Sequence, residues 1–304
     1  MIQDIGPHIY HNEYHLKKPQ DSDCLVGVEN GTIYMVEGKC GPEYVRFDML
    51  PDSVREKESG IVFLFQIDDV SYFLADPQAE EHGLIMEDLR KIKGVREVLI
   101  QEFRQMRPMW KAFGGITAVQ LNGWYSNRRF CGRCGSKMEK STAERAMICP
   151  ECGLTEYPKI CPAVIIAVTN KDRLMMTKYA GRAYKNYALV AGFTEIGESF
   201  EETVKREVLE EVGLKVKNIT YYKSQPWSFS DTILAGFFCQ LDGSEEYHMD
   251  TQELSVAEWI PRDRIPERSH DISLTGEMIE AFRTRTYPQY EAWEAASKAG
   301  PDNN

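Results

Sequence analysis

Residues 192–214 read Gly-Phe-Thr-Glu-Ile-Gly-Glu-Ser-Phe-Glu-Glu-Thr-Val-Lys-Arg-Glu-Val-Leu-Glu-Glu-Val-Gly-Leu. Three glutamates in this stretch, Glu207, Glu210 and Glu211, stand at positions i, i+3 and i+4. In an α-helix this spacing puts the three carboxylates on one face, where they repel one another unless a cation lies among them. Oxygen ligands select hard cations, Mg²⁺ or Mn²⁺, which commonly bridge to substrate phosphates. For the glutamates taken alone, a solvated acidic helix face is the alternative.

The same stretch carries signals for the two ends of the helix. Ser199 followed by Glu202 is typical of a capping box, and Gly213 is typical of the residue just after a helix. Valines at positions 204, 208 and 212 form an apolar stripe beside the acids. We therefore expect a helix between Ser199 and Gly213 that packs its valines on a core and directs its acids into a cleft.

The spacing of these residues resembles the signature of the Nudix hydrolases. That signature is Gly, five residues, Glu, seven residues, Arg-Glu-aliphatic, one residue, Glu-Glu, one residue, Gly-aliphatic, and residues 192–214 match it at each position. The resemblance implies an α/β/α sandwich in which this loop and helix bind divalent metal ions. It also implies hydrolysis of a nucleoside diphosphate linked to another group.

Four cysteines form two Cys-x-x-Cys pairs, Cys131 with Cys134 and Cys149 with Cys152, separated by fourteen residues. A glycine follows each pair and allows the backbone to turn so that its amides face the thiolates. Two such pairs make a closed tetrahedral site for one structural Zn²⁺; disulfides or free thiols are the alternative. The remaining cysteines are expected to be small core residues; they are Cys24, Cys40, Cys161 and Cys239.

Composition limits the class of protein. The chain has 304 residues, 42% apolar residues and a net charge of −11, which favours about two domains and argues against a general polyanion binder. The longest apolar runs are too short for the roughly 20 residues of a membrane span. The first residues lack the pattern of a signal peptide, and the last four are not a peroxisomal address. We expect a soluble cytoplasmic protein with no membrane partner.

A second motif narrows the resemblance. Residues 224–232 read Ser-Gln-Pro-Trp-Ser-Phe-Ser-Asp-Thr, similar to the Ser-Gln-Pro-Trp-Pro-Phe-Pro-x-Ser motif of the NADH pyrophosphatase subfamily of Nudix enzymes. The sequence departs from the motif at Ser228, Ser230 and Thr232, and the loss of two prolines would loosen a loop there. The order of parts, with a four-cysteine ribbon before the Nudix segment, is similar as well. Enzymes of this subfamily also remove NAD caps from RNA 5′ ends.

The chain is expected to be an α+β multidomain protein with three parts. Residues 1–126 would form a β-rich NADH-pyrophosphatase-like domain with a linking helix, 127–156 the zinc ribbon, and 157–304 the Nudix domain. In the first part we expect hairpins that turn at 29–31 and 68–69, a helical stretch at 95–103 and a helix at 110–125. In the Nudix part we expect strands at 163–168, 173–178, 187–191, 216–224 and 233–241, with helices at 274–284 and 290–298.

The resemblance also implies roles for individual residues. Glu207 and Glu211 would bind metal, and Glu210 would be a further ligand or a proton acceptor. The carbonyl of Ala191 and the carboxylate of Glu253 would complete the metal shell, and either Glu211 or Glu253 would be the general base. Arg206 would pair with Glu198 or with a helix acid and hold the carboxylates in position. Substrate contacts would come from Tyr157, Ile165, Phe193, Gln225, Pro226, Trp227, Phe229 and Thr232.

The expected reaction is hydrolysis of the pyrophosphate bond of NAD(H) to NMN(H) and AMP, with two or three Mg²⁺ or Mn²⁺ ions in the site. NAD-capped RNA would give a 5′-monophosphate end in the same way, and the enzyme would be a homodimer. One alternative is a Nudix hydrolase of another substrate such as ADP-ribose. A non-catalytic Nudix-fold regulator is the other, although the intact set of glutamates argues against it.

Overall fold

The computed structural model describes residues 1–55, 58–181, 186–267, 272–287 and 290. The chain divides into two compact units. The N-terminal unit comprises Ile2–Lys159 and Ser228–Asp231, and the C-terminal unit comprises Met1, Ile160–Trp227 and Thr232–Asn304. The division into three domains expected from the sequence remains a prediction. No helix within the described ranges is long and apolar enough to cross a membrane.

The N-terminal unit is built on an eight-stranded sheet with the order β1-β6-β7-β2-β5-β4-β3, to which β8 adds by pairing with β4. Its strands are β1 (Tyr10–His11), β2 (Cys24–Val26), β3 (Val28–Glu29), β4 (Thr32–Gly38), β5 (Gly41–Arg46), β6 (Ile61–Ile67), β7 (Val70–Ala75) and β8 (Val95–Leu99). Its helices are α1 (Asp52–Arg55), α2 (His82–Lys91) and α3 (Met109–Asn127), with 3₁₀ turns at Phe47–Met49, Glu58–Gly60 and Ile100–Arg104.

Both predicted hairpins of this unit are confirmed. β3 and β4 are joined through Asn30 and Gly31, whose φ angles of 48° and 79° are the left-handed values that a tight hairpin turn requires. β6 and β7 pair across the second turn, where Asp68 has φ 53°. The helix predicted at 110–125 is also confirmed, because α3 spans Met109–Asn127.

The helix predicted at 95–103 is wrong. Residues 95–99 form β8, which pairs with β4 from Val36↔Val95 to Thr32↔Leu99, and a 3₁₀ turn follows at Ile100–Arg104. The segment is rich in branched aliphatic residues, which suit a strand, and the open edge of β4 supplies the hydrogen-bond partners. A partner about sixty residues earlier in the chain therefore overrides the local pattern.

Three short strands form a second sheet in the order β11-β10-β9 within the N-terminal unit. They are β9 (Glu139–Lys140), β10 (Met147–Ile148) and β11 (Thr155–Glu156); the first cysteine pair precedes β9 and the second lies between β10 and β11. Such small strands bury little apolar area. Cross-linking by a metal is the usual way to stabilise a module of this size.

The C-terminal unit contains a six-stranded sheet with the order β15-β16-β12-β13-β17, and β14 pairs with β12. Its elements are β12 (Cys161–Asn170), β13 (Arg173–Tyr179), β14 (Val190–Phe193), α4 (Phe200–Val212), β15 (Val216–Trp227), β16 (Thr232–Leu241), β17 (Leu254–Pro261), a 3₁₀ turn at Arg262–Arg264 and α5 (Leu274–Thr284). β12 and β16 are parallel over nine residue pairs, and the other pairings are antiparallel.

Helices cover both faces of this sheet. Alternate residues of β12 face opposite sides: Val164 and Ile166 join the core that contains the valines of α4, whereas Ile165 joins the core that contains the apolar residues of α5. The period-two alternation of a strand produces this division. The unit is therefore the three-layered α/β/α sandwich expected from the sequence.

Most predicted elements of the C-terminal unit are confirmed: the strands at 163–168, 173–178, 216–224 and 233–241 and the helix at 274–284. The strand predicted at 187–191 is displaced, because β14 begins at Val190 and continues to Phe193. β17 was not predicted. The helix predicted at 290–298 lies outside the described residues apart from Tyr290.

Candidate active site

The helix of the 192–214 stretch is α4, and its ends are those predicted. The Oγ of Ser199 accepts a hydrogen bond from the amide of Glu202 at 3.3 Å, and the amide of Ser199 donates to the Glu202 carboxylate at 2.7 Å. Gly213 has φ 68°, so the chain leaves the helix through a left-handed residue that glycine adopts without strain. Local sequence thus fixes where the acidic helix begins and ends.

The apolar stripe of α4 is fully buried. Val204, Val208 and Val212 each have 0% exposure and pack against the sheet. Glu211 lies next to this stripe and is only 3% exposed, whereas Glu210 is exposed. The acidic face therefore runs from solvent into the edge of the core, where a carboxylate needs a cation or hydrogen-bond donors.

Arg206 donates hydrogen bonds to three carboxylates of the acidic cluster. Its Nε and Nη2 donate to the two carboxylate oxygens of Glu198 at 2.6 and 2.9 Å. Its Nη1 donates to Glu207 at 2.7 Å and to Glu210 at 2.9 Å, and Nη2 also donates to the carbonyl of Phe193 at 2.9 Å. Both partners considered in the sequence analysis, Glu198 and a helix acid, are present. One guanidinium thus ties the loop before α4 to the helix.

The pKa values of Glu198 and Glu207, two carboxylates of this cluster, are shifted in opposite directions. The hydrogen bonds from Arg206 lower the pKa of Glu198 to about 2. Burial raises the pKa of Glu207, Arg206 opposes this, and the nearby charges of Glu210 and Glu253 raise it further. Glu253 is therefore within electrostatic reach of Glu207, although the two are far apart in sequence. A cation bound among these acids would favour their charged forms.

Gly192 lets the Glu207 carboxylate lie directly against the backbone of β14. A Cβ at position 192 would be 1.9 Å from the carboxyl carbon of Glu207 and 2.0 and 2.2 Å from its oxygens, so no other residue fits without moving the acid. Ala191, whose carbonyl is a predicted metal ligand, precedes this glycine and pairs with Ile165 in the sheet. The sequence analysis included Gly192 only as part of the signature, and nothing local indicates this close approach.

The residues present suit a hard divalent cation by their chemistry. Glu207 and Glu211 are half-buried and buried carboxylates on one helix face, beside a glycine that exposes backbone. Within the described ranges, only the four cysteines bring three or more potential ligand atoms within 4.8 Å of one another. Among the described residues the glutamate carboxylates are not as closely clustered, and Nη1 of Arg206 lies between those of Glu207 and Glu210. A metal ion bound by these two side chains would share their carboxylates with Arg206 or displace it.

The four cysteines of the ribbon converge as the spacing predicts. Sγ of Cys131 is 3.6 Å from that of Cys152, and Sγ of Cys134 is 3.4 Å from that of Cys149, well beyond the length of about 2.05 Å for a disulfide. Zn–S bonds of about 2.3 Å in a tetrahedron place sulfurs about 3.8 Å apart, close to these distances. The amide of Arg133 points at Cys131 Sγ from 3.4 Å. The cluster fits one structural Zn²⁺ and leaves no position for a substrate.

Three of the predicted substrate residues, Ile165, Gln225 and Thr232, are buried. Ile165 lies in the core on the α5 side. Gln225 has 0% exposure, and its amide donates to the carbonyl of Ile272 at 2.9 Å and accepts from the amide of Leu274 at 2.7 Å. In this structure Gln225 therefore connects β15 to the start of α5.

The loop expected from Gln225 to Thr232 is shorter than predicted. Gln225, Pro226 and Trp227 belong to β15 and Thr232 begins β16, so only residues 228–231 form the turn. Trp227 pairs directly with Thr232 across the hairpin. Pro226 is tolerated because β15 is an edge strand of the sheet.

The predicted aromatic residues differ in exposure. Phe193 is 55% exposed at the end of β14, and Trp227 is half-buried. In the N-terminal unit, Tyr157 is 59% exposed and its hydroxyl donates to Glu144 at 3.0 Å. Phe229 belongs to the same unit, where the guanidinium of Arg104 lies 4.3 Å from its ring centre. Arg104 was not identified from the sequence, since no pattern links it to residue 229.

Comparison with known proteins agrees with this arrangement. Residues 159–282 match the family model of the NUDIX domain, and residues 126–157 match that of the NADH pyrophosphatase zinc ribbon domain. The NAD-capped RNA hydrolase NudC of Salmonella typhimurium is 36% identical over 190 residues, which cover 62% of this chain and 71% of that protein. The NudC of Actinobacillus succinogenes is 40% identical over 171 residues, covering 54% of this chain and 64% of that protein.

Among solved structures, a NUDIX hydrolase from Nitrosomonas europaea is similar with a TM-score of 0.45 and 19% identity, covering 52% of this chain and 91% of that one. The two family models lie side by side in the order ribbon, then Nudix domain. The identity to NudC extends over more than two thirds of the Salmonella protein. The chain therefore belongs to the Nudix hydrolases that carry the NADH pyrophosphatase zinc ribbon.

Proposed function

We propose that this enzyme hydrolyses the pyrophosphate bond of NAD(H), giving NMN(H) and AMP, and removes NAD caps from RNA 5′ ends. The observation that carries the proposal is the acidic cluster on α4, organised by Arg206, in a chain 36–40% identical to two NAD-capped RNA hydrolases. A pure ligand-binding protein gains nothing from a partly buried, mutually repelling set of carboxylates. The cluster therefore favours catalysis over the alternative of a non-catalytic regulator.

Each group of the proposed site has a task in this reaction. Two or three Mg²⁺ or Mn²⁺ ions, when bound, would neutralise the pyrophosphate and acidify a water. Glu207 and Glu211, with Glu210, Glu253 and the carbonyl of Ala191, would hold them. Glu211 or Glu253 would take the proton from the attacking water.

The exposed ring of Phe193 would stack on a base of the substrate. Further aromatic contacts would come from Tyr157, Trp227 and Phe229. Pro226 and Thr232 would shape the turn between β15 and β16. Ile165 and Gln225 would support the site from within the fold. These contacts orient the dinucleotide so that the water attacks in line with the bond that breaks. We also propose a cytoplasmic homodimer, which sedimentation or light scattering would reveal as twice the 34.9 kDa chain mass.

A product assay tests the proposed function. The full-length protein is incubated with NADH, ADP-ribose and NAD-capped RNA, each with Mg²⁺ or Mn²⁺, and the products are identified by mass. We expect NMNH and AMP from NADH and a 5′-monophosphate end from the RNA. Preference for ADP-ribose would instead assign the enzyme to that substrate, which the serines at 228 and 230 in place of family prolines would help to explain. No turnover of any substrate would contradict an enzymatic role.

Two variants test whether Glu211 takes part in catalysis. Glu211→Gln keeps the shape of the side chain but removes its charge, so kcat should fall by about 10²-fold or more, while the melting temperature changes little. Glu201→Gln is the matched control, since Glu201 is exposed in the first turn of the same helix and outside the cluster. Wild-type turnover by Glu211→Gln would contradict the role proposed for Glu211.

A further inference from the structure

A pocket of about 230 Å³ lies within the N-terminal unit. It is formed by the irregular segment 14–19, by β6 and β7, and by residues 140–142 of the ribbon region. None of its lining residues belongs to the proposed catalytic or substrate contacts. Its described lining contains three lysines, Lys17, Lys18 and Lys140, and no carboxylate, in a chain whose net charge is −11.

Lys17 is the unusual member of this lining. Its side chain is half-buried, and its Nζ donates to Oγ of Ser71 at 2.6 Å, a hydroxyl group that is itself completely buried. Within the part of the chain that the structure describes, this neutral hydroxyl is its hydrogen-bond partner and no carboxylate forms an ion pair with it. Among the described residues no carboxylate contacts this half-buried ammonium directly, so an anion in the pocket would gain a charge-assisted hydrogen bond from it.

The two acidic residues next to these contacts, Asp23 and Asp76, already have hydrogen-bond or ion-pair partners. Asp23 accepts from the amide of Ser71 and from the amide of Gln20, both at 2.8 Å. Asp76 forms an ion pair with Lys140, whose ammonium also lies 5.9 Å from the ring centre of Tyr125. Lys140 therefore forms part of the wall with its charge balanced by Asp76, and Lys17 contributes positive charge to the pocket.

Other residues of the lining supply aromatic surface and hydroxyl groups. Phe63 and Phe73 supply buried aromatic surface, and Ser141 and Thr142 supply hydroxyl groups. Oγ of Ser141 accepts from the amides of residues 143 and 144 at 3.2 and 3.4 Å, which leaves its proton to donate. A cation, hydroxyl donors and aromatic surface together suit a ligand with an anionic end and a flat apolar end.

We propose that this pocket binds a nucleoside monophosphate. The phosphate would contact Lys17 and the hydroxyls of Ser141 and Thr142, and the base would lie against Phe63. The cavity of about 230 Å³ is smaller than the roughly 300–1,000 Å³ of pockets for drug-sized ligands, so it is too small to enclose a dinucleotide. The proposal is independent of the reaction proposed above, because its residues lie outside that site.

Calorimetry on the full-length, zinc-loaded protein without added Mg²⁺ or Mn²⁺ tests the proposal, with AMP, adenosine and inorganic phosphate as probes. We expect AMP to bind, and adenosine to bind at least tenfold more weakly because it lacks the phosphate. Lys17→Gln should weaken AMP binding at least tenfold, the usual effect of removing one charged hydrogen bond, and Lys17→Arg should restore most of it. Turnover of NADH should not change in either variant.

Lys39→Gln is the matched control: it removes the same charge from an exposed position of the same unit and should leave AMP affinity unchanged. Melting curves and zinc content would identify a Lys17→Gln variant that fails to fold, in which case Lys17→Met and Lys17→Arg carry the comparison. Equal AMP affinity in the wild type and a folded Lys17 variant would overturn the proposal. So would equal affinity for adenosine and AMP, or Lys17-dependent binding of a 5′-phosphorylated oligonucleotide without binding of AMP.

Discussion

Gly192 and Arg206 control the acidic cluster from two sides. Arg206 binds the carboxylates of Glu198, Glu207 and Glu210, while the missing side chain at position 192 gives the Glu207 carboxylate its place against β14. The pairing of Arg206 with Glu210 could be predicted from the helix spacing, because residues four apart on a helix are neighbours. The contact of Gly192 with Glu207 could not, because it depends on how β14 and α4 pack.

Replacing Gly192 by alanine tests this contact at the scale of one methyl group. The new Cβ would lie 1.9 Å from the Glu207 carboxyl carbon, so the acid must move. A displacement of about 1 Å in a catalytic group commonly costs about 10²-fold in rate, and we expect a loss of kcat on NADH of that order. Overpacking should lower the free energy of unfolding by about 1–3 kcal/mol.

Gly123→Ala is the control for this variant, because a Cβ at position 123 meets nothing within 4 Å. It adds the same methyl group inside α3 and should leave turnover unchanged. Turnover by Gly192→Ala within twofold of the wild type would show that Glu207 can move without loss of function. Kinetics of purified variants with saturating Mg²⁺ or Mn²⁺ provide the measurement.

At the scale of elements, the hairpin of β15 and β16 and the start of α5 depend on one buried amide. Gln225 on β15 donates to the carbonyl of Ile272 and accepts from the amide of Leu274, the first residue of α5. The first amides of a helix have no partner within the helix, and at this buried position the Gln225 side chain supplies one. The sequence motif predicted that Gln225 matters, but the structure gives it a partner within the fold.

Gln225→Leu should therefore destabilise the protein without reducing its apolar packing. Two buried backbone groups lose their partners at about 1–3 kcal/mol each, so we expect a total loss of about 2–6 kcal/mol in urea unfolding. Gln240→Leu on the neighbouring β16 is the matched control, since Gln240 is half-exposed and bonded to the exposed Asn218. Its effect should stay near 0.5 kcal/mol. Equal effects of the two substitutions would refute this role of Gln225.

The wrong prediction at residues 95–103 also belongs to this scale. The segment contains Val95, Val98 and Ile100, and its short apolar pattern is compatible with either a helix or a strand. Its partner is β4, and that pairing fixes the strand. By contrast, the caps of α4 lie within the helix sequence itself, so its bounds were predictable.

On the scale of the whole molecule, the chain combines two cores with a metal-linked module. The C-terminal unit has apolar cores on both faces of its sheet, but the ribbon has only three two-residue strands. The ribbon thus depends on its zinc ion for most of its stability. Its two Cys-x-x-Cys turns have the same geometry, with Gly135 and Gly153 at φ 79° and 70°.

Removal of one ligand tests this dependence. Cys131→Ser should reduce bound zinc well below one ion per chain by elemental analysis, because structural sites need all four thiolates. Trypsin should then cleave among the basic residues between 128 and 145, which the folded ribbon protects. Cys40, which the sequence analysis expected in a core, is exposed and lies outside the cluster, so Cys40→Ser should change neither zinc content nor cleavage. A Cys131→Ser protein that keeps one zinc and resists trypsin would disprove the assignment.

The sequence by itself determined what depends on neighbours along the chain. The bounds of α4, the shared face of its glutamates, the hairpin turns at Asn30 and Asp68 and the two cysteine pairs all follow from short-range spacing. Only the tertiary structure decided the strand at β8, the place of Glu207 against Gly192, the burial of Gln225 and the pocket around Lys17. Each of these depends on residues far apart in the chain that packing brings together, and such contacts leave no periodic pattern in a single sequence.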